Sequence, residues 1–113
     1  AADCRASNTP LMMVIVPRVG KDADASARAE SVGRIKAIAG RHALPVYDLL
    51  DTFDEIDPAD LEIAAWDDHP NALGHHQLFL SLTHKLATDQ GRYELLFPGR
   101  KAIAESSLPQ DLP

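Results

Sequence analysis

Leu11-Met12-Met13-Val14-Ile15-Val16-Pro17 is the stretch from which the fold is read. Six apolar residues follow one another with no polar residue between them, and a proline that cannot extend a ladder closes the run. An uninterrupted run, rather than an alternating one, predicts a strand covered on both faces, as in parallel sheets. Its length suits a strand and is too short for a buried helix. Upstream, residues 1–7 read as the end of a helix, followed by a turn at Asn8-Thr9-Pro10. Downstream, residues 18–24 are polar, include Gly20 and read as a loop.

Helical spacing follows, with Ala25, Arg28/Ala29, Val32, Ile35 and Ala39 recurring at three- and four-residue steps. Gly40 marks the end of this helix, and Arg41 and His42 suit the negative end of its dipole. Leu44-Pro45-Val46-Tyr47-Asp48-Leu49 is a second short strand. Strand, helix and strand make a βαβ unit with parallel pairing, so the fold class is α/β. Asp57-Pro58 is a helix start, Ile63-Ala64-Ala65-Trp66 leads back toward the core, and Asn71 caps a helix over 72–87. His75, Phe79, Leu82 and Leu86 share one face of that helix, and His76 points to solvent. From Gln90 the chain becomes a tail that turns rich in Pro, Ser and Asp and frays. Residues 1–90 are thus read as the α/β domain and 91–113 as its tail.

The bulk properties exclude several classes. The chain has 113 residues, 45% of them hydrophobic and 25% charged, which fits one globular domain. No apolar run approaches the roughly 18 residues of a membrane span. Residues 1–16 carry neither a basic n-region nor a small-residue cleavage site, so no signal peptide is read there. A formal charge of −6 and a pI near 5.2 oppose binding to a phosphate backbone, so nucleic acid is not an expected partner. Cys4 is the sole cysteine, which excludes an internal disulfide and a multi-cysteine zinc site.

The two strands and two long helices leave a deficit. A strand such as 11–16 needs a layer on each face and a neighbour on each edge, and a two-stranded sheet supplies neither. The chain reads as half of an α/β sandwich.

Chemistry concentrates in Trp66-Asp67-Asp68-His69-Pro70-Asn71-Ala72-Leu73-Gly74-His75. His69 lies on a loop directly before a helix, where a side chain can face a cleft. An acid just upstream can accept a hydrogen bond from one imidazole nitrogen, fixing the tautomer and stabilising the imidazolium during general-base work. Residues i and i+2 of an extended segment share a face, so Asp67 is the preferred partner of His69 and Asp68 the alternative. Pro70 stiffens the loop, Asn71 caps the helix and Gly74 permits close packing.

The string Asp67-x-His69-Pro70-Asn71-Ala72-x-Gly74-His75 resembles the C-terminal catalytic block of the SGNH, or GDSL-type, hydrolases. The resemblance runs over residues 11–87. It implies the C-terminal half of a parallel-stranded α/β/α sandwich and ester hydrolysis or acyl transfer by a Ser-His-Asp mechanism. His69 would be the base and Asp67 its orienting acid, with no cofactor. The family's usual Asp-x-x-His spacing would place the acid at Trp66, and its Gly-Asp-Ser nucleophile block and oxyanion-hole blocks are absent. The resemblance therefore implies a partner: the missing N-terminal half, in the same longer chain or in a second one. The expected substrate is a small ester or acylated molecule, and the chain alone is expected to be inactive. The alternative is a truncated, non-catalytic module of this type that binds a protein through its open sheet edge.

Plainer roles stand beside these. Asp67 and Asp68 also fit turn or cap positions, which for Asp68 is the preferred reading. His75 is expected to pack in the core, and Asp48 to cap the turn after its strand. Trp66 could shape an acyl pocket or pack beneath the loop, and residues 51–60 read as a solvated loop and short helix. No metal is expected, because His75 and His76 are adjacent and diverge, whereas helical zinc pairs need i,i+4 spacing.

Overall fold

The computed structural model describes residues 2–20 and 25–100. Along these the order is α1 (Ala2–Ala6), β1 (Met13–Ile15), α2 (Ala25–Arg41), β2 (Val46–Asp48), α3 (Pro58–Leu61), β3 (Glu62–Ala64), β4 (Asp67–Pro70), α4 (Ala72–Thr88) and α5 (Gln90–Leu96). The result is a small mixed α/β arrangement with one parallel and one antiparallel two-stranded sheet. Residues 21–24 of the expected loop, and the Pro- and Ser-containing end of the tail (101–113), lie outside the described residues.

β1 and β2 pair in parallel, with Met13 opposite Val46, Val14 opposite Tyr47 and Ile15 opposite Asp48. The crossover is α2, as the βαβ spacing requires. Met13 N–H donates to Pro45 O and Leu49 N–H donates to Ile15 O, both at 2.9 Å. In a parallel ladder successive residues face opposite edges, so Val14 turns its N–H and C=O away from β2. Among the described residues no strand pairs with that edge.

The expectation of a strand covered on both faces is not met among the described residues. Met13, Val14 and Ile15 are half-buried, and Val16 is 53% exposed. The buried hydrophobic side chains among the described residues are Val19, Ala39, Tyr47, Leu49 and Leu61. Ile35, Ile38, Phe79 and Leu73 stay exposed on the helices. Among the described residues, the two short sheets and the helices leave part of the apolar surface uncovered.

Asp48 ties β2 to both long helices. Its carboxylate pairs with Lys36 on α2, and its carbonyl accepts from Lys85 on α4. The same carboxylate accepts the Leu50 N–H at 2.9 Å, the turn-capping role read from the sequence. Burial would push this carboxyl up, but the Lys36 and Leu50 hydrogen bonds and the charges of Lys36 and Lys85 outweigh it and hold it below the ordinary value.

Helix ends follow local chemistry. α2 closes with Leu44 N–H donating to Ala39 O at 2.9 Å and Ala43 N–H to Gly40 O at 3.1 Å, a Schellman pattern. The left-handed position is Ala43, with φ 52°, and Gly40 lies within the helix. The glycine named in the sequence reading is therefore three residues short of the position that uses positive φ. α1 ends in the same pattern at Asn8, φ 51°, where Asn is well suited.

Three further stretches differ from expectation. Ile63 and Trp66 do not return to the core: they are 61% and 86% exposed on the hairpin formed by β3 and β4. His75 is exposed and does not pack in the core, and it is His76 that is half-buried, with its ring 6.3 Å from that of Phe79. Gln90–Leu96, at the start of the stretch read as a tail, is a helix. Asp89 caps it through Arg92 N–H at 3.3 Å, and the Tyr47 hydroxyl reaches Asp89 at 3.4 Å.

Candidate functional site

The candidate residues occupy β4 and the first turn of α4. β4 is held on one side by antiparallel β3, with Glu62 opposite Pro70 and Ala64 opposite Asp67, and the register shifts between them. At its end Asn71 bonds to three elements. Its Oδ1 accepts Gly74 N–H at 3.1 Å, which caps α4. Its Nδ2 donates to Asp60 O at 2.8 Å and to Glu62 O at 3.3 Å, and its own N–H donates to Leu61 O at 2.8 Å. The cap thus fastens α4 to α3 and β3 together. Gly74 is buried, and a Cβ there would stand 2.6 Å from Pro70 Cβ, 3.5 Å from Phe53 and 3.6 Å from Leu61. Only a residue without a side chain lets α4 start this close to Pro70.

Within this frame Asp67 folds back on His69. Its Oδ1 accepts the His69 backbone N–H at 3.0 Å, an Asx turn, and lies 2.7 Å from His69 Nδ1. That contact calls for the proton on Nδ1 and leaves Nε2 as the free lone pair of a neutral ring. The backbone N–H first, then the ring, hold the Asp67 carboxyl below its ordinary value. Asp68 Oδ1 is farther from Nδ1, at 3.7 Å. The His69 side chain is 79% exposed, so Nε2 is open to a group arriving from outside this chain.

Arg18 completes the cluster, and nothing in the sequence reading singled it out. Its Nη1 lies 3.0 Å from Asp68 Oδ2, and the next residue, Val19, donates its N–H to Asp68 O at 3.1 Å. The available signal was its position just past the C-terminal end of a parallel strand, where α/β folds place functional side chains.

One carboxylate oxygen of Asp67, one of Asp68 and a His69 nitrogen lie within 4.8 Å of one another, the size of a metal site. A guanidinium already engages Asp68, and Asp67 already engages Nδ1. Those donors hold each other, and no metal is assigned. A cleft of about 140 Å³ lies between residues 17–20 and 50–61, lined by Arg18, Val19, Arg28, Phe53, Ile56 and Leu61 among others. It is smaller than the roughly 300 Å³ of a ligand pocket, and neither Asp67 nor His69 lines it. Trp66 does not pack beneath the loop, being exposed at the hairpin turn. Comparison with family models, with curated proteins and with solved structures finds no match.

Proposed function

We propose that this chain supplies the base and its orienting acid to a serine esterase or acyltransferase of the SGNH type, as the C-terminal half of its α/β/α sandwich. The observation that carries the reading is the Asp67 Oδ1–His69 Nδ1 contact of 2.7 Å on a strand that leads directly into a capped helix. In the proposed reaction His69 Nε2 takes the proton of a serine hydroxyl as its oxygen attacks the carbonyl carbon of a small ester. The same proton then passes to the departing alkoxide. Asp67 keeps the ring in the Nδ1–H tautomer and stabilises the imidazolium. Serine and oxyanion donors come from the complementary half, whether it belongs to the same longer chain or to a second one.

The sheet supports such a partner. Among the described residues no strand pairs with the outer edge of β1, and a groove of about 440 Å³ is lined by Ile15 and Val16 at the end of β1, by Arg28, Ser31, Val32 and Ile35 of α2, and by Arg18 and Leu50. An added strand would satisfy that edge.

Fluorophosphonate labelling of the protein as isolated from its source, with the adduct mapped by mass spectrometry, tests the proposal. The expected adduct is on a serine outside these 113 residues. An adduct on Ser7, Ser26, Ser31, Ser81, Ser106 or Ser107 would overturn the division of the triad between two halves. Absence of label, with a serine hydrolase labelled in the same tube, would leave the non-catalytic reading, in which the β1 edge binds a protein.

A further inference from the structure

We infer that Arg18 is a positioning residue for the Asp67–His69 pair: its guanidinium holds the Asp68 carboxylate aside, so that Asp67 alone orients the imidazole. Two carboxylates flank one ring nitrogen, Asp67 at 2.7 Å and Asp68 at 3.7 Å. They are adjacent in the chain and chemically alike, so something must decide between them. The Asx turn draws Asp67 in. Asp68 is drawn out from two directions, its side chain by Arg18 at 3.0 Å and its main-chain carbonyl by Val19 N–H at 3.1 Å. Released from Arg18, Asp68 needs only a side-chain rotation to bring Oδ1 from 3.7 Å to bonding distance of Nδ1.

The Arg18 side chain is 74% exposed, and an ion pair this open contributes little to stability. Its consequence lies in which acid the ring bonds. Among the described residues, other charged groups near this end include Glu62 on β3, opposite Pro70, and Arg28 on α2 and Asp54, which line the same cleft as Arg18. The catalytic meaning of the device rests on the proposed role of His69 as base, but the geometry is read out without turnover.

Long-range 1H–15N NMR of the imidazole rings, at a pH where they are neutral, reports the tautomer of His69, assigned with a His69→Gln variant. The protein itself should show the Nδ1–H form. Asp67→Ala, with Arg18 still holding Asp68, should lower the Nδ1–H to Nε2–H ratio about tenfold or more, the scale of one lost charge-assisted hydrogen bond. Adding Arg18→Ala should restore most of that ratio, because Asp68 then accepts from Nδ1. Adding Arg18→Lys instead should restore less, since the ammonium still binds Asp68. If the double variant with Arg18→Ala stays as low as Asp67→Ala alone, Arg18 does not select between the acids. If Asp67→Ala alone leaves the ratio unchanged, Asp68 was never held aside and the inference fails as well. Either result leaves the fluorophosphonate outcome unaffected, so failure here is separable from failure of the proposed reaction.

Discussion

A single oxygen of Asp67 receives both the backbone N–H of His69, at 3.0 Å, and the ring Nδ1 of the same residue, at 2.7 Å. The backbone bond fixes the rotamer of the acid, and the fixed acid then orients the ring. An acid and a base two residues apart thus form a preset unit without help from the core, although the His69 side chain is 79% exposed. A preset orienter is what general-base catalysis requires of its carboxylate.

Under the proposed reaction, Asp67→Asn should therefore reduce turnover by the protein joined with its complementary half at least about tenfold more than Asp68→Asn, because only the first acid bonds the ring. His69→Ala should abolish turnover while circular dichroism stays unchanged, since the ring contributes to no packed surface. Comparable losses in the two Asp variants would show that the acids share the role.

Gly74→Ala should destabilise the protein by about 1–3 kcal/mol, the range for forcing a methyl into filled space. The new Cβ would stand 2.6 Å from Pro70 Cβ, and the pyrrolidine ring cannot rotate away. Urea unfolding checks this; an unchanged midpoint would mean that α4 can slide off β4 at no cost.

Ala43→Gly should stabilise by about 1 kcal/mol, because an L-residue is strained in the left-handed region and glycine is not. The position is Ala43, φ 52°, at the end of α2. Thermal melting should show a rise of a few degrees. A fall would indicate that loss of unfolded-state stiffness outweighs the relieved strain.

Asp48 makes stability depend on acid pH. Its folded carboxyl is held below the ordinary 3.8 by Lys36, Leu50 and Lys85, despite the opposing effect of burial. A carboxyl depressed on folding contributes stability that is fully present above its unfolded value and lost as pH falls through the folded one. Unfolding free energy should therefore drop on going from about pH 5 to pH 2, and Asp48→Asn should remove part of that slope. With Lys36 46% exposed, the contribution is below about 1 kcal/mol. An Asp48→Asn slope equal to that of the parent would assign the acid sensitivity to other carboxylates.

Asn71→Ala should cost about 1–2 kcal/mol as the loss of an N-cap, and Asn71→Asp should recover only part. Aspartate keeps the acceptor for Gly74 N–H but cannot donate to the Asp60 and Glu62 carbonyls. Equal stability of the Asp variant and the parent would show that those two donors contribute nothing.

What the sequence determined by itself was local. Composition and the run at 11–16 specify an α/β chain, the 3.6-residue spacing places α2, and Asn71 and Asp57 announce their helices. The i,i+2 rule brings Asp67, rather than Asp68, onto the ring of His69. All of these act over a few residues, through hydrogen bonds and side-chain direction that the neighbouring sequence sets. Tertiary structure alone decided the relationships across longer separations. Arg18 meets Asp68 only because residues 17–20 run beside β4, and Lys36 and Lys85 meet at Asp48 only because α2 and α4 both pack against β2. Burial also belongs to that level. The periodicity that marks His75 and Phe79 as apolar-face positions cannot say whether anything covers the face, since coverage depends on which elements pack against it.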